Sequence, residues 1–126
     1  DRPEEVIVSA LVRARFCELL GEHGKLGYPA ADLFLMGMLS FMDVILGRPM
    51  SEVVTDLPLS GPIREALQGG AAGIGRVLRL VQSYEKADWS RVAQLREGLP
   101  LRDEQLAPLY QDAVGWTDEI YSLGHS

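Results

Sequence analysis

The stretch LFLMGMLSFMDVILGRPM, from Leu33 to Met50, decides the fold class of this protein. Its apolar residues fall on nearly every side of a helix, which is typical of a helix at the centre of a domain. Asp43 interrupts the apolar run, and the run is shorter than the about 20 residues that span a membrane. We therefore expect one buried helix, opened by Pro29 and closed by Gly47, in an all-α domain.

The rest of the chain carries helix signals and almost no strand signals. Residues 74–86 form the clearest amphipathic pattern and predict a helix with an apolar buried face and an exposed face of Arg76, Arg79, Gln82, Ser83 and Lys86. A last helix is predicted from Asp103, where Pro108 predicts a kink or a later start. We expect a compact bundle of about six to seven helices, formed by the whole chain as a single domain.

Composition and charge exclude several classes of function. The chain has 126 residues and a net charge of -6, with 12 basic and 18 acidic residues, and its basic residues are scattered. Nucleic acids and anionic membranes need a basic surface, so neither is an expected partner. Cys17 is the single cysteine and no signal peptide opens the chain, which favours a cytoplasmic location. The absence of an initiator Met suggests a piece of a longer protein.

Metal chemistry has few candidate residues. Neither His23 nor His125 has an adjacent Asp or another ligand one helical turn away, so we expect no metal or cofactor site and no catalytic residue. Asp43 stands alone in an apolar helix, where an unpaired carboxylate is costly. We expect it to pair with Arg13 or Arg15, or to face the edge of the bundle. The alternative is a general acid or base.

The remaining patterns favour structural roles or surface contacts. Cys17 lies in an apolar helical segment, which predicts a buried and inert thiol. The glycines of GGAAGIG, residues 69–75, neither follow a strand nor precede a Gly-Lys-Ser/Thr sequence, so an interhelix turn is favoured over a phosphate site. Trp116 falls off the buried stripe of the last helix, which predicts either an interface anchor or a second contact inside the domain. The predicted partner contacts are Arg76, Arg79, Trp116 and Tyr121.

Several blocks of residues, taken in order, resemble the HDOD domain, and more narrowly the HDOD portion of bacterial EAL–HDOD signalling proteins. The blocks are LVRARFCELL (11–20), LFLMGMLS (33–40), GRPM (47–50), LPLS (57–60), Ala66-Leu67, YEKADW (84–89) and YQDAVGW (110–116). The resemblance covers nearly the whole chain, but only the C-terminal portion of a full HDOD domain, and the EAL domain is absent.

The resemblance implies a non-catalytic function. HDOD domains are relatives of the HD phosphohydrolases that have generally lost the metal ligands, and in many of them one helix still reads Gly-Leu-Leu-His-Asp. Here the matching residues run from Gly37 to Phe41, so Ser40 and Phe41 stand at the positions of the His-Asp pair. The family implies a non-catalytic regulatory module of the bacterial cytoplasm, associated with cyclic di-GMP networks and acting by protein–protein contact.

The resemblance implies two kinds of partner, namely other signalling proteins and the N-terminal domain of the same polypeptide. A homodimer is a further expectation. Without the helices that precede this portion, the first two helices should expose apolar surface, through which the chain would dimerise or over which it would repack. Two alternatives stay open: a degenerate or atypical HD-type phosphohydrolase, and a purely structural dimerisation unit.

Overall fold

Helices make up the fold of the computed structural model, which describes residues 3–124. In that range there are eight helices and no strand. Their bounds are α1 Pro3–Gly24, α2 Ala30–Leu39, α3 Met42–Leu46, α4 Met50–Thr55, α5 Gly61–Leu67, α6 Ile74–Glu85, α7 Trp89–Arg96 and α8 Asp103–Gly124. The all-α fold class is confirmed. The additional helix arises because the single helix predicted around residues 33–46 is divided in two.

The division lies at Ser40 and Phe41, so the prediction of one continuous helix is wrong. The Phe41 amide donates to the carbonyl of Met38 (3.3 Å), three residues back, where an α-helix would bond four residues back. The Ser40 hydroxyl donates to the carbonyl of Gly37 (2.6 Å). A serine side chain that bonds to its own preceding turn competes with helix continuation. Gly47 ends α3 in the left-handed conformation (φ 66°), as its position predicts.

The centre of the bundle is α1 rather than the single helix predicted between Pro29 and Gly47. It packs against α2, α6 and α8, and its residues Phe16, Cys17 and Leu20 are fully buried. In α2, Leu33 and Met36 are buried as expected, but α3 has no buried residue. An apolar segment therefore continues from the core to the surface, which the pattern of apolar residues alone did not indicate.

Close packing of α1 against α2 depends on one glycine. A Cβ atom at Gly37 would lie 2.7 Å from the Cα atom of Ala14, which is closer than side-chain carbons approach backbone atoms. Beyond this contact, the ring of Phe16 packs edge-to-face against Tyr84 and Tyr110, with 5.4 Å between ring centroids in each case. The two interactions fix α1 against α2, α6 and α8.

The later helices follow their sequence signals with two differences. The apolar face predicted for α6 is buried, but Ser83, expected on the exposed face, is buried too and donates to the carbonyl of Arg79 (2.8 Å). The later start predicted for α8 is wrong, because Pro108 lies inside a helix that begins at Asp103. Among the described residues, no helix is both long and apolar enough to cross a membrane.

Candidate functional site

Ser40 and Phe41 both contact the side chain of Arg13. The Arg13 guanidinium donates to the Ser40 hydroxyl (2.9 Å), and its carbon lies 3.9 Å from the centroid of the Phe41 ring, in the geometry of a cation–π contact. The break between α2 and α3 therefore places two adjacent residues against one cation from α1.

The same guanidinium forms an ion pair with Glu85 at the end of α6. Two parallel hydrogen bonds join them, from Nε of Arg13 to one carboxylate oxygen (3.0 Å) and from Nη2 to the other (2.5 Å). The side chains are only 11% and 22% exposed, so solvent screens this pair less than a surface pair. We call Arg13, Ser40, Phe41 and Glu85 the Arg13 cluster. It connects α1, the α2–α3 junction and α6.

The pairing predicted for Asp43 is therefore wrong in its first form. Arg13 pairs with Glu85, and Arg15 pairs with Glu18 (2.5 Å). Asp43 instead accepts a hydrogen bond from the amide of Val44 (2.9 Å), on a helix that faces solvent. This position agrees with the second expectation for Asp43, which placed it at the edge of the bundle.

A cavity of about 370 Å³ adjoins the Arg13 cluster. Its lining is mostly apolar and includes Phe41, Val12 and Val114 together with Glu85. In residues 3–124, no three His, Cys, Asp or Glu side chains lie close enough together to share a metal ion. His23 is exposed in the last turn of α1, and His125 lies outside the described residues.

Two other predictions from the sequence are confirmed. Cys17 is completely buried, and burial raises the pKa of its thiol to about 12, so the thiolate is scarce near neutral pH. The glycine-rich segment is a turn between α5 and α6. Gly69 and Gly73 in that turn have φ angles of 103° and 56°, a region of the backbone that glycine enters without strain.

Arg76 and Arg79 are less exposed than the amphipathic pattern predicted, because both bind carbonyls of the chain itself. Arg76 donates to the carbonyls of Leu95 (2.7 Å), Gln94 (3.1 Å) and Glu97 (2.7 Å), and so satisfies the C-terminal end of α7.

Arg79 donates to the carbonyl of Ala66. Burial, with the nearby charges of Arg13 and Arg91, lowers the pKa of Arg79. The partner contacts predicted at Arg76 and Arg79 stay predictions, but each guanidinium already has a structural role.

Trp116 makes a contact inside the domain and is also partly exposed at the surface. Its ring packs edge-to-face on Phe34 of α2, with 5.8 Å between centroids, and the Arg15 guanidinium lies 5.4 Å from the centroid of the same indole. The ring is only partly buried. Tyr121, one turn and a half further along α8, donates its hydroxyl to a carboxylate oxygen of Glu4 (3.4 Å) and joins α8 to the start of α1.

Around Trp116 lies an open groove of about 700 Å³ between α1, α2 and α8. We call it the Trp116 groove. The residues that line it are Arg15, Glu18, Ala31, Phe34, Leu35, Met38 and Trp116. Sequence reasoning missed the α2 residues of this groove, because a helix that is apolar on every side gives no signal for which side stays exposed.

Apolar side chains outside the groove are exposed as well. On α2, Leu35 is 41% exposed, and the others are Ile7 of α1, Val44, Ile45 and Leu46 of α3, and Ile120 and Leu123 of α8. The exposed apolar surface expected on the first two helices is therefore present, and it extends to α3 and α8. Patches of this kind mark interaction sites more often than chance exposure.

Two curated proteins are similar to nearly all of this chain. The chain is 32% identical over 124 residues to the cyclic di-GMP phosphodiesterase CdgJ of Vibrio cholerae, a match that covers 97% of the chain and 28% of CdgJ. It is 34% identical over 116 residues to the protein YuxH of Bacillus subtilis, covering 92% of the chain and 28% of YuxH. The chain thus spans little more than a quarter of the length of either relative. No protein-family model matches the chain, and no solved structure matches it.

Proposed function

We propose that this chain is a non-catalytic, HDOD-type regulatory module of a bacterial cyclic di-GMP signalling protein, and that it acts in the cytoplasm by protein–protein contact. The similarity to one part of a cyclic di-GMP phosphodiesterase supports the signalling context. The order of sequence blocks that resembles the HDOD domain supports the type of module. The partners are other signalling proteins or the preceding domain of the same polypeptide.

One observation carries the non-catalytic part of the proposal. The two residues at the positions of the His-Asp pair, Ser40 and Phe41, both contact the guanidinium of Arg13. A phenylalanine side chain has no atom that can bind a metal ion, and the Ser40 hydroxyl already accepts a hydrogen bond from Arg13 and donates one to the carbonyl of Gly37. These two positions therefore offer a divalent cation no free ligand. The positions support a fixed contact between α1, α2 and α6 rather than a metal-bound water.

The Trp116 groove is the contact surface in this proposal. Trp116 supplies a large, partly exposed aromatic ring, and Leu35 beside it is 41% exposed. Tryptophan is among the residues that most often carry the binding free energy at protein interfaces. The groove lies on the side of α1 formed with α2 and α8, whereas Arg13 bonds to Glu85 of α6, so a partner could bind there without breaking the Arg13 cluster.

The experiment compares the partners captured by the wild-type chain and by two tryptophan variants. Tagged wild type, Trp116→Ala and Trp89→Ala are used as baits in native lysate, with mass spectrometry as the readout. Trp89 is the matched control, since it is 58% exposed but lies on α7. We expect cyclic di-GMP enzymes, sensor kinases or the full-length parent protein with wild type and Trp89→Ala, and their loss with Trp116→Ala. Equal capture by all three baits would contradict the groove as the contact surface.

The two alternatives make different predictions for the purified chain. An atypical phosphohydrolase should carry a bound metal ion and hydrolyse bis(p-nitrophenyl) phosphate until a chelator removes the ion. A structural dimerisation unit should capture only copies of itself. Elemental analysis, a chelator-sensitive hydrolysis assay and sedimentation equilibrium distinguish them, and either result would refute the proposed regulatory role.

A further inference from the structure

We infer that the occupant of the Trp116 groove is a basic amphipathic helix of the partner protein. This inference rests on the groove being the contact surface proposed above, and it adds the chemistry of what binds there. Its grounds are the shape of the groove, the continuation of its apolar surface along α8, and the sign of the charges beside it.

The shape of the groove suits a helix. Phe34, Leu35 and Met38 of α2 and Trp116 of α8 line it, so residues of two neighbouring helices form the apolar surface. Ile120 and Leu123 follow Trp116 at helical spacing, so these three residues share one face of α8, and Leu123 is 75% exposed. This apolar strip can contact about two to three turns of a helix, whose own apolar residues recur at the same spacing.

The charges beside the groove are mostly negative. On α8, Asp112 and Glu119 lie about one turn on either side of Trp116, on the same side of the helix, and both are exposed. The helix has no lysine or arginine.

On α1, Glu22 is exposed about one turn beyond Glu18. The one cation of the groove lining, Arg15, is paired with Glu18. A helix that carries lysines and arginines at the margins of its apolar face would therefore find carboxylates from both α1 and α8.

The same charges disfavour a second copy of this chain as the occupant. Two copies joined through the groove would bring both sets of carboxylates together, and each copy has a net charge of -6. Like charges that face each other across an interface suppress the wrong partner. A basic helix instead gains from both the apolar contact and the charge contact.

The test uses three synthetic peptides of about 18 residues, long enough for five helical turns. One has leucines on one face and lysines on the other, the second has glutamates in place of the lysines, and the third is a scramble of the first that is not amphipathic. Peptide binding to the 126-residue chain is measured by fluorescence anisotropy. We expect the lysine peptide to bind at least about tenfold more tightly than either of the others, and Trp116→Ala to weaken it about thirtyfold.

A charge-swap variant makes the test specific to the groove. The double variant Asp112→Lys/Glu119→Lys should reverse the preference in favour of the glutamate peptide. Glu65→Lys/Glu97→Lys is the matched control, because it changes the net charge by the same amount at exposed residues on α5 and at the end of α7. It should leave the preference for the lysine peptide in place. Circular dichroism is used to check that each variant retains its helices. If Asp112→Lys/Glu119→Lys does not fold, Asp112→Asn/Glu119→Gln is used in its place.

Three results would overturn the inference. Equal binding of the lysine and glutamate peptides would exclude a basic partner, and equal effects of the two double variants would show that only net charge matters. A dimer in sedimentation equilibrium that Leu35→Asp abolishes would assign the groove to a second copy. If Trp116→Ala loses the native partners while the peptides show no preference, the contact surface stands and only the basic helix is wrong. Peptide binding at the groove with capture of native partners unchanged in Trp116→Ala would instead refute the groove as the contact surface of those partners.

Discussion

Removing the ion pair between Arg13 and Glu85 should destabilise this protein far more than removing a surface pair. The two side chains share two charge-assisted hydrogen bonds and are only 11% and 22% exposed. Loss of one partner of a buried pair costs about 3–5 kcal/mol, and the partial exposure of Glu85 places this pair at the lower end. We expect Arg13→Met to lower the free energy of unfolding by about 3 kcal/mol. Glu85→Gln should cost less, about 2 kcal/mol, because the glutamine amide oxygen can still accept one hydrogen bond from Arg13.

The interaction itself is measured by a double-mutant cycle. Urea unfolding, followed by circular dichroism, gives the free energy of unfolding of wild type, both single variants and Arg13→Met/Glu85→Gln. The double variant leaves no buried charge without a partner, so its loss should be smaller than the sum of the single losses by about 2 kcal/mol. In thermal unfolding, Arg13→Met alone should lower Tm by roughly 12 °C, at about 4 °C per kcal/mol for a domain of this size.

A surface pair provides the control for this cycle. Arg48 and Glu52 are 42% and 56% exposed and are joined by one hydrogen bond of 3.3 Å. Their cycle should give a coupling within the error of the measurement, because solvent screens exposed pairs. If the Arg13–Glu85 pair couples no more strongly than this surface pair, the reasoning that the Arg13 cluster holds α1 to α6 is refuted.

Two further predictions concern a close helix contact and a buried thiol. Gly37→Ala should lower the free energy of unfolding by about 2–3 kcal/mol, because the new Cβ atom would lie 2.7 Å from the Cα atom of Ala14. Gly115→Ala, in open space on α8, should instead raise it by about 0.5–1 kcal/mol. Equal effects of the two variants in urea unfolding would contradict this. The folded pKa of Cys17, about 12, lies above its ordinary value of 9.0, so the thiol stabilises the fold fully below about pH 9 and loses that contribution as pH rises from 9 to about 12. From about pH 8 to pH 10, wild type should therefore lose about 1 kcal/mol more than Cys17→Ala, and equal losses would show that the thiol ionises alike in both states.

The resemblance of the sequence blocks led to the positions of Ser40 and Phe41, but only the structure showed what those residues contact. Arg13 and Glu85 are separated by most of the chain, and each lies in a segment where several partners are possible. Asp43 was the expected partner of Arg13 because it is the unpaired carboxylate of the apolar helix. The break at Ser40 turns Asp43 towards solvent instead, and periodicity gave no sign of that break.

The Trp116 groove was predicted only in part. Trp116 fell off the buried stripe of α8, so its sequence position indicated a contact outside the α8 core. Leu35 had no such signal, because its neighbours on α2 are apolar in every direction. Which side of an apolar helix is left exposed depends on the helices that pack against it.

By itself the sequence determined the all-α class, the bounds of α6, the start of α8, the buried face of α6 and the inert environment of Cys17. These features follow from interactions within a few residues: caps, glycine and proline conformations, and apolar periodicity. Only the tertiary structure decided the break between α2 and α3, the partner of Arg13 and the exposed side of α2. These depend on residues distant in sequence, since an arginine pairs with the carboxylate that packing brings within hydrogen-bonding distance.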